Sequence, residues 1–253
     1  MSFVMRLPNA EYLTDLMRAI SAVVDEATFK IDSEGLKLVS MDPAHISLVD
    51  FLLSKEAAEE YSVAKELELT VNMQDLLKFL KRAKKGESLT LSYDAEKKKL
   101  MMTLSDSAYS RERSFQLSTL EPAGMAAMSS PKLSFEAKAR LSTDALWEAI
   151  EDAGIIADAM KITIQPEMII LTARGETSTV QNKLSKQGAL VFEIQTDKEV
   201  SASFSLTYLE KIVKPCRDIS EEVTMMLSTN KPIKLYFPFP AGRLEYLIAP
   251  RLE

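Results

Sequence analysis

Apolar side chains recur at helical spacing over residues 9 to 24, where Leu13, Leu16, Met17, Ile20, Val23 and Val24 share one face and Asn9 stands in the N-cap position. The period then changes to alternation. Strands are predicted over Ala27 to Ile31 and Leu36 to Ser40, joined by the turn Asp32-Ser-Glu-Gly35. A loop bent at Pro43 leads into a strand that ends at Leu53, and Leu67, Leu69 and Val71 alternate inward as the next. The run from Asn72 to Gly86 reads as a second helix, with Leu76, Leu77, Phe79, Leu80 and Ala83 on its apolar side. Leu89, Leu91 and Tyr93, then Leu100, Met102 and Leu104, form a hairpin across the polar turn Asp94 to Lys99, and residues 111 to 118 close the first half as a strand.

Between Ser118 and Lys132 the period lapses into prolines and small residues, which reads as a linker. The plan then repeats. Leu133, Phe135, Ala137, Ala139 and Leu141 alternate as a strand, and a helix starts at Ser142 or Thr143 and runs through Leu146, Ile150 and Ala153. Strands follow at Lys161 to Ile164, Met168 to Ala173, Ser178 to Leu184, Leu190 to Gln195 and Ala202 to Leu206. A further helix over 206 to 217 precedes strands at Val223 to Leu227, Ile233 to Phe237 and Arg243 to Ile248. Each half thus carries two helices and about eight or nine strands, an α+β pattern of curved antiparallel sheets with helices on one face. The expected domains are 1–118 and 133–253, joined by 119–132.

The two late helices share a phrase. Lys78-Phe-Leu-Lys81 aligns with Lys211-Ile-Val-Lys214 at an offset of 133 residues (211 minus 78), which indicates an internal duplication. On the first copy Lys78, Lys81, Arg82 and Lys85 fall at i, i+3, i+4 and i+7, a basic stripe opposite the apolar one; the second copy carries Lys211, Lys214 and Arg217. One such stripe is ordinarily a solvated face. Two at matching places in a duplicated chain would line one surface, and lysine and arginine there suit phosphate contact without base reading.

Composition narrows the classes. A chain of 253 residues, 46% hydrophobic, buries a full core, while 31 basic against 37 acidic residues leave a net charge of -6. That balance argues against finding nucleic acid by global attraction, so any contact comes from a local face. Cys216 is the single cysteine, which excludes an internal disulfide and a cysteine-based metal centre. No leader pattern opens the chain and no apolar run reaches the ~20 residues of a membrane span, so a cytosolic protein without membrane partners is expected. Glycine-rich phosphate loops, zinc-protease and nucleophile-elbow phrases are missing, and His45 is the only histidine. Acid pairs such as Asp25 with Glu26 or Glu151 with Asp152 point in different directions on a helix and read as solvated. A non-enzyme without metal or cofactor is the expectation, ahead of a carboxylate metal-dependent hydrolase.

His45, between Pro43 and Ile46, is typical of a packed loop histidine. Met41, Ile46 and Leu48 beside it, with Leu120, Met125 and Met128 of the linker, fit the core; exposed, they would form an apolar groove for a peptide.

Three phrases in order, Met41-Asp-Pro-Ala-His-Ile-Ser-Leu-Val49, Leu77-Lys-Phe-Leu-Lys-Arg-Ala83 and Leu247-Ile-Ala-Pro-Arg251, resemble the proliferating cell nuclear antigen type of sliding clamp. The duplication and linker match that family over the whole chain, and the cysteine-poor sequence looks more like an archaeal member than a eukaryotic one. The resemblance implies a trimeric ring around duplex DNA, with helices inside and sheets outside. Lys78, Lys81, Arg82, Lys85, Lys211, Lys214 and Arg217 would then face DNA, with Arg18 and Arg111 as secondary candidates.

It further implies a docking site for peptides of the form Gln-x-x-aliphatic-x-x-aromatic-aromatic. Matching positions are Met41, His45, Ile46, Leu48, Leu120, Met125, Met128, Pro232, Leu247, Ala249, Pro250 and Arg251. DNA polymerase, flap endonuclease, DNA ligase and the clamp loader would be the clients. Subunits would pair through Tyr109, Arg111, Arg113, Phe115 and Leu117 on one chain and Thr177, Thr179, Gln181 and Leu184 on the next, in a homotrimer or a heterotrimer. A departure from the family is the acidic helix with Glu148, Glu151 and Asp152, where clamps often place basic residues. A checkpoint-type clamp is the alternative within the ring class.

Overall fold

The computed structural model describes residues 1–121 and 128–251. In chain order its elements are β1 (Phe3–Leu7), α1 (Ala10–Ser21), β2 (Glu26–Asp32), β3 (Gly35–Met41), β4 (Ser47–Ser54), β5 (Glu60–Val63), β6 (Leu67–Asn72), α2 (Met73–Leu80), β7 (Ser88–Asp94), β8 (Lys99–Asp106) and β9 (Arg111–Ser118). The second half gives β10 (Ala137–Ser142), α3 (Thr143–Gly154), β11 (Ala159–Gln165), β12 (Met168–Arg174), β13 (Thr179–Ser185), β14 (Val191–Gln195), β15 (Val200–Ser205), α4 (Leu206–Cys216), β16 (Glu222–Leu227), β17 (Ile233–Phe239) and β18 (Gly242–Ile248). The offset of 133 holds at element level: α1 and α3 start 133 residues apart (143 minus 10), as do β3 and β12 (168 minus 35).

Two compact units result, and each contains a short segment from the other half of the sequence. The unit built on the first half includes Phe239–Arg243, and the unit built on the second includes Met41–Val49. In the first unit the strand orders are β5-β1-β7-β8-β9 and β6-β2-β3-β4; in the second they are β14-β10-β16-β17-β18 and β13-β12-β11-β15. The predicted hairpin is antiparallel and has the register that its apolar pattern demands, with Leu89 opposite Leu104, Leu91 opposite Met102 and Tyr93 opposite Leu100.

Each unit packs its two helices over its sheets. In the first, Leu13, Leu16 and Ile20 of α1 and Leu76, Leu77 and Leu80 of α2 are buried, as are Phe3, Met5, Leu91 and Met102 of the strands. In the second, Leu146 and Ile150 of α3 and Leu209, Ile212 and Val213 of α4 are buried with Ile162, Ile164, Leu171 and Phe204. A fully buried side chain of this size contributes about 1.5–3 kcal/mol, so the apolar stripes, more than helix propensity, hold these short helices in place. Asn9, Asn72 and Ser142 cap α1, α2 and α3 by accepting from the backbone N–H groups of Glu11, Asp75 and Ala145.

Four elements depart from expectation. β1 is absent from the predicted strands, although Phe3, Met5 and Leu7 alternate inward. β5 is absent too; it has four residues and buries none of them fully, so no apolar signal marks it. The strand expected from Leu133 begins only at Ala137, and Leu133 is exposed. The second helix, expected to reach Gly86, stops at Leu80.

Candidate nucleic-acid interface and docking loop

The early end of α2 has a physical cause in Glu87. Its buried carboxylate accepts the Lys84 N–H at 2.8 Å and the Arg113 guanidinium at 2.6 and 2.7 Å, while Arg113 also donates to the Arg82 carbonyl at 3.0 Å. Side chains outside the helix thus capture its final turn, and Gly86, at φ +84°, supplies the left-handed residue that reverses the chain. Burial opposes the charge on Glu87, but the Lys84 N–H and Arg113 outweigh it and hold the carboxyl below its ordinary range. Lys78 is therefore the only member of the first basic stripe inside the helix. Lys81 is its C-cap, Arg82 follows in a turn and Lys85, placed on the helix by its spacing, lies in the loop. All four are exposed; Lys78 pairs with Asp75 at 2.7 Å.

In the second unit Lys211, Lys214 and Arg217 are exposed along α4 and at its C-cap. The Lys214 ammonium and the Arg217 guanidinium both lie 5.7 Å from the centre of the Trp147 ring, and Arg217 donates to Asp144 at 2.6 Å. Trp147 comes from α3, whose outer face carries Asp144, Glu148 and Glu151 at i, i+4 and i+7. The cations of α4 thus sit beside an acidic stripe. On α1 of the first unit, Arg18 pairs with Asp15 at 3.1 Å. Arg111 is exposed at the start of β9, where it lines an open cavity of about 390 Å³ with Arg6, Glu59 and Asp106.

The strands expected at subunit joints are terminal in their sheets: among the described residues, β9 pairs only with β8, and β13 only with β12. Neither has a fully buried residue. Tyr109 is 81% exposed, and Thr177, Thr179 and Gln181 are exposed. Phe115 and Leu117 are half-buried, the former 5.3 Å from Phe79, and Leu184 is half-buried on β13. Arg113 turns inward to Glu87 and does not extend from the edge.

The loop before β4 is organised by Asp42. Its carboxylate accepts the backbone N–H groups of Ala44, Ile46 and Ser47 and the hydroxyl of Tyr208 on α4, the last at 2.8 Å. Burial opposes this charge too, and the Ser47 N–H, the Tyr208 hydroxyl and the other two amides hold the carboxyl below its usual range. His45 adopts φ +57°, and His45 and Ile46 project into solvent while Met41 is half-buried. The Ala249 N–H donates to the Ile46 carbonyl at 2.8 Å, so the C-terminal segment runs beside this loop within the second unit. Arg251 donates its N–H to Ser203 at 2.7 Å and pairs with Asp158 at 2.9 Å; Pro232 and Pro250 are half-buried.

Leu48 and Leu247 are each 7% exposed and alternate away from the core positions Val49, Phe51 and Leu53 of β4 and Leu244, Tyr246 and Ile248 of β18. Leu120 and Met128, of the first unit, are exposed; Leu120 is pinned by its N–H to the Thr70 carbonyl at 2.9 Å. Met125 lies outside the described residues. Sequence reasoning missed Asp42, Glu87, Trp147 and Tyr208, since nothing in their local patterns marks the partners they meet.

The family description for the N-terminal domain of proliferating cell nuclear antigen matches residues 2–123, and that for its C-terminal domain matches residues 130–251. The chain is 32% identical over 247 residues to a DNA polymerase sliding clamp of Thermofilum pendens, covering 97% of this chain and 98% of the relative. It is 33% identical over 246 residues to DNA polymerase sliding clamp 1 of Pyrobaculum aerophilum, covering 97% and 96%. The crystal structure of the proliferating cell nuclear antigen of Thermococcus kodakaraensis superposes with a TM-score of 0.92 at 25% identity, over 98% of this chain and 100% of that one. Matches of this extent, across both duplicated halves, establish that the chain belongs to the proliferating cell nuclear antigen family of sliding clamps.

Proposed function

We infer that this protein is a DNA sliding clamp: a ring of three subunits that encircles duplex DNA, tethers DNA polymerase to its template and performs no chemistry itself. The observation that carries the reading is the match of the whole chain, half by half, to the sliding-clamp family. In support, each unit exposes cations near the end of its second helix, Lys78, Lys81 and Arg82 in one and Lys211, Lys214 and Arg217 in the other. These face the duplex as a sparse lining, with Lys85, Arg18 and Arg111 as secondary contacts. Net acidity is no obstacle, since a closed ring holds DNA by topology and gains from weak, sliding contacts.

Ring closure follows from the two open edges. β9 of one subunit pairs with β13 of the next, which satisfies two rows of backbone groups that would otherwise invite aggregation. Domains 1–118 and 133–253, joined by 119–132, give six repeats per ring. Clients dock by a short peptide on the exposed loop at His45 and Ile46, with Met41, Leu48, Pro232, Leu247 and the segment Ala249 to Arg251 of the same unit. Flap endonuclease, DNA ligase and the clamp loader join DNA polymerase as partners, and the site of action is the cytoplasm, on the nucleoid.

Light scattering on the purified chain tests self-assembly. Three copies of 28.3 kDa give roughly 85 kDa for a closed homotrimer. A particle of 28.3 kDa at micromolar protein would contradict it.

A further inference from the structure

We propose that the Tyr208 hydroxyl of α4 is a positioning group for client docking, holding the exposed loop from Pro43 to Ile46 in its binding shape through Asp42. The inference rests on the reading of that loop as the docking site. Asp42 is 6% exposed, and its carboxylate is the hub on which the loop is folded: three amides converge on it, at Ala44, Ile46 and Ser47, and Tyr208 donates to it from a distant element. The loop needs such a hub. His45 is held at φ +57°, a region that costs a non-glycine residue energy unless its surroundings impose it, and the two outward side chains, His45 and Ile46, sit at that bend.

The duplication supplies an internal control. At the 133-residue offset the counterpart of Asp42 is Gly175 and that of Tyr208 is Asp75, so neither partner is repeated. The matching turn closes without them, by the Gly175 N–H to the Ser178 carbonyl at 2.9 Å; in the docking loop the Asp42 N–H reaches the Ser47 carbonyl, also at 2.9 Å, across a turn about two residues longer. The fold therefore makes this turn without a tyrosine–carboxylate contact. The contact is present only where the loop is longer and carries outward apolar and imidazole groups. Since Lys211 and Lys214 share α4 with Tyr208, the same helix presents cations to DNA and fixes the loop.

The test compares wild type, Tyr208→Phe and Ile46→Ala for binding of a fluorescent peptide of the form Gln-x-x-Leu-x-x-Phe-Phe, together with amide hydrogen exchange. Tyr208→Phe is expected to weaken the peptide about five-fold and to speed exchange at Ala44, Ile46 and Ser47 while leaving Gly175 unchanged. Wild-type affinity and unchanged loop exchange in Tyr208→Phe, with Ile46→Ala weakened, would overturn the positioning role alone. Full affinity in Ile46→Ala would overturn the docking-site reading and the inference with it. Should Tyr208→Phe speed exchange everywhere, Gly175 included, the contact is a general stability element and the proposal fails; Asp42→Asn, which keeps the shape of the hub, provides the second variant for the same comparison.

Discussion

Arg113 and Glu87 meet at 2.6 Å with side chains only 15% and 2% exposed, so the guanidinium that the family resemblance assigns to a subunit joint instead closes the end of a helix. Removing one partner strands a buried charge. Arg113→Ala is expected to cost about 3–5 kcal/mol in urea unfolding, and a loss below about 1 kcal/mol, the scale of an exposed pair, would contradict the burial.

The same pair sets an acid dependence. Glu87 has its carboxyl lowered in the folded state, so its contribution to stability is present above the ordinary value of 4.5 and is lost as pH falls through the folded value. Glu87→Gln should flatten the fall in stability below pH 4.5. An identical acid limb in the variant would show that other carboxylates dominate.

Replacing Lys78, Lys81, Lys211 and Lys214 together by alanine leaves folding intact, since all four are exposed. Retention on DNA should weaken and its dependence on salt should become shallower, by a log–log slope of about 0.9 for each phosphate no longer neutralised. An unchanged slope would remove these residues from the lining.

Trp147 is the only tryptophan and reports on α4 directly. With Lys214 and Arg217 over its ring, its emission should shift when duplex DNA draws those cations away, and Lys214→Ala should reduce the shift. No change in emission on loading would contradict phosphate binding by these two groups.

Cys216 is fully buried, and burial pushes its thiol well above the usual range. It should resist alkylation in the native protein and react only on unfolding. Rapid native labelling would contradict the packing of α4.

Much of this fold is legible in the sequence because alternation and helical spacing are strong where a face is buried: Leu89, Leu91 and Tyr93 meet their partners in register, and Leu13, Leu16 and Ile20 mark α1. Legibility fails where long-range partners decide. Nothing between Asn72 and Gly86 announces that Glu87 and Arg113 will end α2 at Leu80, and so spacing alone sets Lys85 on a helix that does not reach it. The exchange of Met41–Val49 and Phe239–Arg243 between units is equally silent in a local pattern. Of the candidate site, the residue types are readable and their pairings are not: Arg217 meets Asp144 and Trp147, and Arg113 meets Glu87.

The most direct test of encirclement is retention on circular against linear DNA of the same sequence, after loading on a nicked circle. A closed ring should remain on the circle at raised salt and leave within the time of free sliding once a single cut opens the ends. Loss from the circle as fast as from the cut molecule would contradict a topological link and, with it, the account of this protein as a sliding clamp.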